Sequence, residues 1–125
     1  MRYSVLIADD NPFIRTALYE FFEREPDFSV CGVAEHGQEV IEEARRLHPD
    51  LIVLDFDMPV MNGLSAARVL KQIMPEVVLI MYSASDTEVC KRVTLSAGIS
   101  GLVSKRDSVS VLIETARTLV YQRAA

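Results

Sequence analysis

Cysteine is scarce in this sequence, and its placement argues against a metal site or a disulfide framework. The two cysteines, Cys31 and Cys90, are far apart, and neither belongs to a CxxC motif or has a histidine at metal-ligand spacing. Free cysteines in a non-secreted globular chain are usually reduced and buried. We therefore expect both thiols to be inert and buried.

Long hydrophobic runs and an excess of positive charge are also missing. The longest apolar run, VVLIMY at 77–82, is far shorter than the roughly 20 residues of a transmembrane helix. The N-terminal stretch MRYSVLIADD turns acidic before the apolar core of a signal peptide develops. The net charge of −5 disfavours unaided binding to DNA or anionic lipid. We expect a cytoplasmic chain that binds neither membrane nor nucleic acid directly.

What the sequence contains is a regular alternation of apolar runs and amphipathic stretches. A chain of 125 residues, half of them hydrophobic and a quarter charged, has the size and composition of one globular domain. Five strand–helix units in strict order imply an α/β fold with a parallel sheet and right-handed crossovers. The predicted strands are 3–8, 28–34, 51–54, 77–82 and 100–104, and the predicted helices begin near 12, 37, 64, 85 and 108.

Several residues mark where these predicted elements begin and end. Asn11 and Pro12 fit the N-cap and first position of the first helix. Ser85 and Glu88 have the spacing of a capping box and predict the start of the fourth helix. The alternating stretch FSVCGVA favours an edge strand, whereas LIVL at 51–54 is apolar throughout and favours a central strand covered on both faces.

Chemically useful side chains follow the predicted strands at their carboxyl ends. Asp9 and Asp10 follow the first strand, Asp55 the third, Ser83 the fourth and Lys105 the fifth. In an open parallel sheet these ends lie along one edge, where ligands bind at the topological switch point. We therefore expect the five residues to form one site.

The charges of this set predict phosphoryl chemistry. Three crowded carboxylates raise one another's pKa unless a cation neutralises them, and hard oxygen ligands on a partly open site suit Mg²⁺. Mg²⁺ and the ammonium of Lys105 would together balance the acids and hold the oxygens of an incoming phosphoryl group. Asp55, on the most central strand, is the best candidate for the attacking nucleophile.

At this point the sequence resembles a two-component response-regulator receiver domain over essentially its whole length, 1–125. The resemblance lies in the motifs VLIADDN, LIVLDFDMPVMNG, MYSAS and SAGISGLVSK. It implies a flavodoxin-like (CheY-like) five-stranded parallel sheet of order 2-1-3-4-5 with helices on both faces. The stretch 35–72 further resembles receivers that carry a helix-turn-helix output domain of the LuxR/FixJ type.

The resemblance also implies roles for individual residues. A sensor histidine kinase or phosphotransfer protein would donate a phosphoryl group to Asp55. Asp10 would ligate Mg²⁺ directly and Asp9 through water, with the backbone carbonyl of Asp57 as a further ligand. Ser83 and Lys105 would bind the phosphoryl oxygens, and the surface of helix 4, strand 5 and helix 5 would then change for homodimerisation or control of an effector, chiefly of transcription. Beyond its own phosphorylation and dephosphorylation, the chain would not be an enzyme.

Three positions depart from the usual pattern of that family. Leu102 replaces the Tyr or Phe that many receivers place three residues before the lysine, which alters the coupling to output. Arg106 replaces the proline that often follows the lysine, so that a cis peptide is not expected there. The side chain of Asp57, two residues after the acceptor, adds negative charge at the site entrance and is predicted to influence phosphodonor use and the lifetime of the acyl phosphate.

Two other functions are compatible with parts of the sequence. DFDMP resembles the Asp-x-Asp motif of haloacid-dehalogenase-like phosphatases, but that motif should follow the first strand, and its additional acidic pair should come late in the chain. A pseudo-receiver that binds partners without phosphorylation is the other alternative, and Leu102 is the feature that keeps it open. Multiple turnovers of a chromogenic phosphate ester would favour the phosphatase, and stoichiometric labelling the receiver.

Overall fold

The computed structural model describes residues 2–84 and 87–124. Strands and helices alternate in the order β1 (Tyr3–Ala8), α1 (Pro12–Glu23), β2 (Phe28–Ala34), α2 (Gly37–Leu47), β3 (Leu51–Asp55), α3 (Gly63–Ile73), β4 (Val78–Ser83), α4 (Glu88–Ser96), β5 (Gly101–Ser104) and α5 (Val109–Ala124). Every predicted element is present. α4 begins at Glu88, three residues after the predicted start near 85.

The five strands form one parallel sheet of order β2-β1-β3-β4-β5. The α/β prediction and the predicted strand order are therefore confirmed. β3 lies at the centre and is buried along its whole length, as expected for a strand covered on both faces. β2 is an edge strand, and its burial is correspondingly incomplete.

Two hydrophobic clusters fill the space on either side of the sheet. On one face, apolar residues of α1 and α5 pack against β1, β3 and β4, with Phe22, Leu112 and Val120 fully buried. On the other face, α2 and α3 present Val40, Leu70 and their neighbours to the same strands. Each β-strand residue points to the face opposite its neighbour, so the sheet supplies both clusters.

Helix starts depend on local caps, of which one differs from the prediction. Asn11 caps α1, its side chain accepting hydrogen bonds from the N–H groups of Phe13 and Ile14, as predicted. Thr87 caps α4 by accepting from the N–H of Cys90 at 3.2 Å, so the prediction of Ser85 as the cap is wrong. Ser85 itself lies outside the described residues.

The cysteines are free, and only one of them is fully buried as expected. Cys90 is buried on α4, whereas Cys31 is half-buried on the edge strand. The pairing of β1 with β2 is irregular at this point, because Val5 pairs with Val30 and Leu6 with Gly32, leaving Cys31 between them. Burial still raises the pKa of the Cys31 thiol, which keeps it protonated.

None of the described helices has the length and apolar character that a membrane crossing requires.

Candidate functional site

The three predicted carboxylates come together at the carboxyl edge of the sheet. Side-chain oxygens of Asp9, Asp10 and Asp55 all lie within 4.8 Å of one another. Asp9 and Asp55 are buried, with 1% and 6% of their surfaces exposed, while Asp10 faces solvent. The result is an acidic pocket with two buried acids at its base and one at its mouth.

Backbone hydrogen bonds fix the first of these acids in place. The N–H of Asp9 donates to the Ala34 carbonyl at 3.1 Å, which extends the β1–β2 pairing by one residue. One carboxylate oxygen of Asp9 accepts from the N–H of Asn11 at 2.9 Å, and Arg15 donates to the Asp9 carbonyl at 2.9 Å. The other carboxylate oxygen is thereby aimed into the pocket.

Lys105 joins the two buried acids. Its ammonium nitrogen Nζ donates to Asp9 Oδ2 at 2.8 Å and to Asp55 Oδ1 at 3.1 Å. Its backbone N–H donates to the Ser83 carbonyl at 2.8 Å, so the loop after β5 is tied to the end of β4. The carboxyl ends of four strands, β1, β3, β4 and β5, therefore meet at the same edge of the sheet.

The electrostatics of the pocket show an excess of negative charge. Burial and the neighbouring charge of Asp9 raise the pKa of Asp55 to about 6, against the opposing effect of Lys105. Burial lowers the pKa of Lys105, but the hydrogen bond to Asp9 and the charge of Asp55 outweigh it and leave the pKa above its ordinary value. One ammonium does not neutralise three carboxylates. A further cation in the pocket would reduce the repulsion among them.

The donor set fits Mg²⁺. Carboxylate oxygens are hard ligands, and a pocket with one acid at its mouth leaves positions for water, which Mg²⁺ retains in proteins. Asp9, Asp10 and Asp55 would supply the side-chain ligands. Residues of the β3–α3 connection would supply any backbone ligand.

Ser83 and Asp57 are near this cluster but differ in exposure. Ser83 ends β4 and is fully buried. Asp57 is exposed, and its backbone N–H donates to Asp55 Oδ1 at 3.4 Å. The hydroxyl role of Ser83 and the carbonyl role of Asp57 remain predictions.

Two glycines allow the chain to pack tightly behind Asp55. A Cβ atom on Gly63 would lie 2.0 Å from the backbone oxygen of Asp55, and one on Gly37 would lie 2.1 Å from that of Met61. The N–H of Gly63 donates to the Phe56 carbonyl at 2.9 Å, and that of Gly37 to the Met61 carbonyl at 3.0 Å. Sequence reasoning missed these contacts, although a glycine at the start of both α2 and α3 was a visible signal.

The connection between β3 and α3 is also strained at one residue. The Met61 N–H donates to the Pro59 carbonyl at 2.7 Å and closes a three-residue turn around Val60. Val60 has a φ of 68°, which is unusual for a β-branched residue, and it is 81% exposed. Strained backbone of this kind often accompanies functional sites.

The positions that depart from the usual receiver pattern lie beside the site. Leu102 is half-buried against the α2–α3 cluster and lines a groove of about 300 Å³ with Lys91 and Leu95 of α4. No cis peptide occurs in residues 2–84 and 87–124, and the Lys105–Arg106 bond is trans as predicted. The groove therefore lies between α4 and β5.

The two histidines, His36 and His48, lie at the two ends of α2. The imidazole of His36 accepts a hydrogen bond from the Glu39 N–H at 3.1 Å and caps the start of the helix. His48 ends the helix in the left-handed conformation, with φ of 49°. Both roles are structural, and neither imidazole belongs to the acidic pocket.

Comparison with known proteins identifies the family. A family model described as the response regulator receiver domain matches residues 5–117. A protein-glutamate methylesterase/protein-glutamine glutaminase of Pseudomonas syringae is 42% identical over 103 residues, which cover 82% of this chain and 26% of that protein. A putative transcriptional regulator of Pseudomonas aeruginosa is 37% identical over 117 residues, or 93% of this chain and 56% of that protein.

Solved structures agree on the fold. A LuxR-family two-component response regulator from an Aurantimonas species superposes with a TM-score of 0.93 at 23% identity, covering 98% of this chain and 88% of that one. At this level of identity the likeness concerns the fold. The chain spans between 26% and 56% of the length of the two curated relatives above.

Proposed function

This chain belongs to the response-regulator receiver family, and on that premise we propose that it is a phosphorylation switch with Asp55 as its phosphoacceptor. The observation that carries the proposal is the convergence of Asp9, Asp10, Asp55 and Lys105 on one pocket at the carboxyl edge of the sheet. The donor would be a phosphohistidine of a sensor kinase or phosphotransfer protein. Such a donor would meet the chain in the cytoplasm.

In the proposed reaction, a carboxylate oxygen of Asp55 attacks phosphorus in line with the leaving imidazole. The P–O bond to Asp55 forms as the P–N bond breaks, and the electron pair of that bond returns to the imidazole nitrogen, which takes up a proton. Bound Mg²⁺ supplies positive charge that neutralises the acids and the phosphoryl oxygens. Asp9, Asp10, Asp55 and the carbonyl of Asp57 would hold the ion.

Lys105 has two functions in this scheme. Before transfer, its ammonium binds Asp9 and Asp55 and holds the carboxylate of Asp55 in position for attack. After transfer, the charge on Asp55 moves to the phosphoryl oxygens, and the ammonium follows it, with the Ser83 hydroxyl as a second donor. Both residues lie at the ends of strands that carry α4 and α5.

The output surface is proposed to be the one formed by α4, β5 and α5. Movement of Ser83 and Lys105 would shift β4 and β5 between two packed arrangements and reshape the groove lined by Lys91, Leu95 and Leu102. This surface would then bind a second copy of the chain or an effector. Control of transcription is the favoured output, supported by the likeness to a putative transcriptional regulator.

The test is phosphorylation by acetyl phosphate with Mg²⁺, measured as stoichiometry by mass spectrometry. We expect one phosphoryl group per chain in the native protein and none in Asp55→Asn. Glu42→Gln, which removes an exposed acid of α2, should be labelled as the native protein is. Labelling of Asp55→Asn, or labelling that does not require Mg²⁺, would contradict the proposal.

The same sample separates the receiver from the two alternatives. A haloacid-dehalogenase-like phosphatase would turn over p-nitrophenyl phosphate many times, whereas the receiver would not. A pseudo-receiver would take up no label although it folds and binds partners. The completeness of the acid and lysine set supports the receiver over both.

A further inference from the structure

Tyr82 is an aromatic residue that touches the site from the side opposite the α4 groove. It is the last apolar residue of β4, directly before Ser83, and only 8% of it is exposed. The Lys105 ammonium lies 5.8 Å from the centre of its ring, within the range of a cation–π contact. Burial raises the pKa of Tyr82, so the ring meets the lysine as a neutral phenol.

The same two side chains line a cavity between α1 and α5. Its volume is about 260 Å³, and its walls include Phe13, Phe21 and Val109 as well as Tyr82 and Lys105. Phe13 is 85% exposed at the rim. Lys105 therefore borders both the acidic pocket, through its ammonium, and the cavity on the α1–α5 face.

Leu102 does not contribute to the α1–α5 face of the sheet. It packs with the cluster of α2 and α3 on the other side of the sheet, whereas Tyr82 belongs to the cluster of α1 and α5. The two residues lie on neighbouring strands, and Leu102 pairs with Met81, the residue before Tyr82. Because adjacent strand residues point to opposite faces, Tyr82 and Leu102 lie on opposite faces of the sheet.

We propose that Tyr82 is a positioning residue that transmits the position of Lys105 to the surface between α1 and α5, so that this surface responds when Asp55 is phosphorylated. The inference rests on the proposed function and adds a second route of output to the one through the α4 groove. When the ammonium moves from Asp9 and Asp55 to a phosphoryl group, its contact with the ring and the shape of the cavity change together. The cavity gives the ring space to adjust.

The test is NMR with beryllofluoride and Mg²⁺ as the phosphoryl mimic, following the amide signals of α1 and α5 and the ring signals of the four tyrosines. Tyr82→Phe keeps the ring, and Tyr82→Leu removes it. Tyr3→Leu is the matched control, because Tyr3 is also 8% exposed in the same cluster but lies at the opposite end of the sheet against Phe28 and Tyr121.

We expect the native protein, Tyr82→Phe and Tyr3→Leu to show shifts along α1 when the mimic binds. Tyr82→Leu should lose at least about half of the α1 response, while its affinity for the mimic stays within about threefold and the residues around Leu102 still respond. A full α1 response in Tyr82→Leu would overturn the inference and leave the proposed function intact. Absence of any response in the native protein would count against the proposed function itself.

Discussion

Lys105 donates a hydrogen bond of 3.1 Å to Asp55, fifty residues away along the chain, and shares the same ammonium with Asp9 at 2.8 Å. This arrangement places one ammonium group between two buried acids. It makes the lysine a competitor of the metal, because both neutralise the same charge.

Replacing Lys105 with Gln should tighten Mg²⁺ binding. At a separation of about 8 Å and an effective dielectric constant near 40, one ammonium repels a divalent ion by about 2 kcal/mol, so its loss should tighten binding by about thirtyfold. Titration of NMR signals with Mg²⁺ measures the dissociation constant, and Lys105→Arg, which keeps the charge, is the control. Weaker binding in Lys105→Gln would show that the lysine orders the acids more than it repels the ion.

Asp57→Asn should change both the entry and the loss of the phosphoryl group. The exposed carboxylate of Asp57 adds a negative charge beside Asp55, whose Oδ1 accepts from the Asp57 N–H. Its removal should speed phosphorylation by acetyl phosphate about two- to fivefold, since the repulsion is screened by solvent. The half-life of the acyl phosphate should change as well, because the carboxylate no longer orients or repels the attacking water.

The control for this variant is Glu42→Gln, which makes the same change in net charge on the distant surface of α2. It should leave both rates unchanged. Equal rates in Asp57→Asn and the native protein would remove any role for this side chain.

Thr94→Val should stabilise the fold by about 1 kcal/mol. The Thr94 hydroxyl on α4 is fully buried, and no hydrogen-bond partner for it is found within residues 2–84 and 87–124. Valine has nearly the same shape and carries no polar group to desolvate. Urea unfolding gives the free energy, and Thr118→Val at an exposed site of α5 should be close to neutral; a destabilised Thr94→Val would indicate that the hydroxyl is satisfied by water.

Arg117 controls the acid stability of the chain. It bonds to Glu25, Asp27 and Glu114 and lies over the Phe28 ring, which links α5 to the segment before β2. The hydrogen bond from Arg117 holds the pKa of Asp27 below its ordinary value, with Tyr121 adding a second one. A carboxyl whose pKa is lowered by folding stabilises the native state above its unfolded pKa, and that contribution disappears as the pH falls through the folded pKa.

Asp27→Asn should therefore destabilise the protein at pH 7, and the difference from the native protein should shrink below about pH 4, near the unfolded pKa of aspartate. We expect a cost of about 1–2 kcal/mol at pH 7, as for a hydrogen bond to a charged partner. Thermal unfolding between pH 3 and pH 7 measures it. A difference that stays constant over this range would mean that the packing of the side chain matters and its charge does not.

The alternation of strands and helices and the acidic pocket could be predicted because they depend on local signals, whereas the strand order followed only from the resemblance to the receiver family. Apolar runs mark strands, and polar residues that follow the strands of a parallel sheet lie along one edge, so the sequence alone places Asp9, Asp55 and Lys105 together. The ring of Tyr82 against Lys105 could not be predicted, because β4 is apolar on both faces and its sequence does not indicate which side chain points to which helix. The cap at Thr87 was not predicted either. Ser and Thr are both good N-caps, and the sequence alone does not decide between Ser85 and Thr87.

The close approach behind Asp55 also depends on three-dimensional contacts, and it leads to the last prediction. Gly63→Ala would place a Cβ atom 2.0 Å from the Asp55 carbonyl oxygen, where rigid backbone cannot yield. Gly101→Ala would place one 3.3 Å from the flexible end of Leu119. We expect a loss of about 3 kcal/mol or more at Gly63 and less than about 1 kcal/mol at Gly101, measured by urea unfolding. Comparable costs at both positions would mean that the β3–α3 connection can move away from Asp55. Close packing of Gly63 would then not be what fixes the position of the Asp55 side chain.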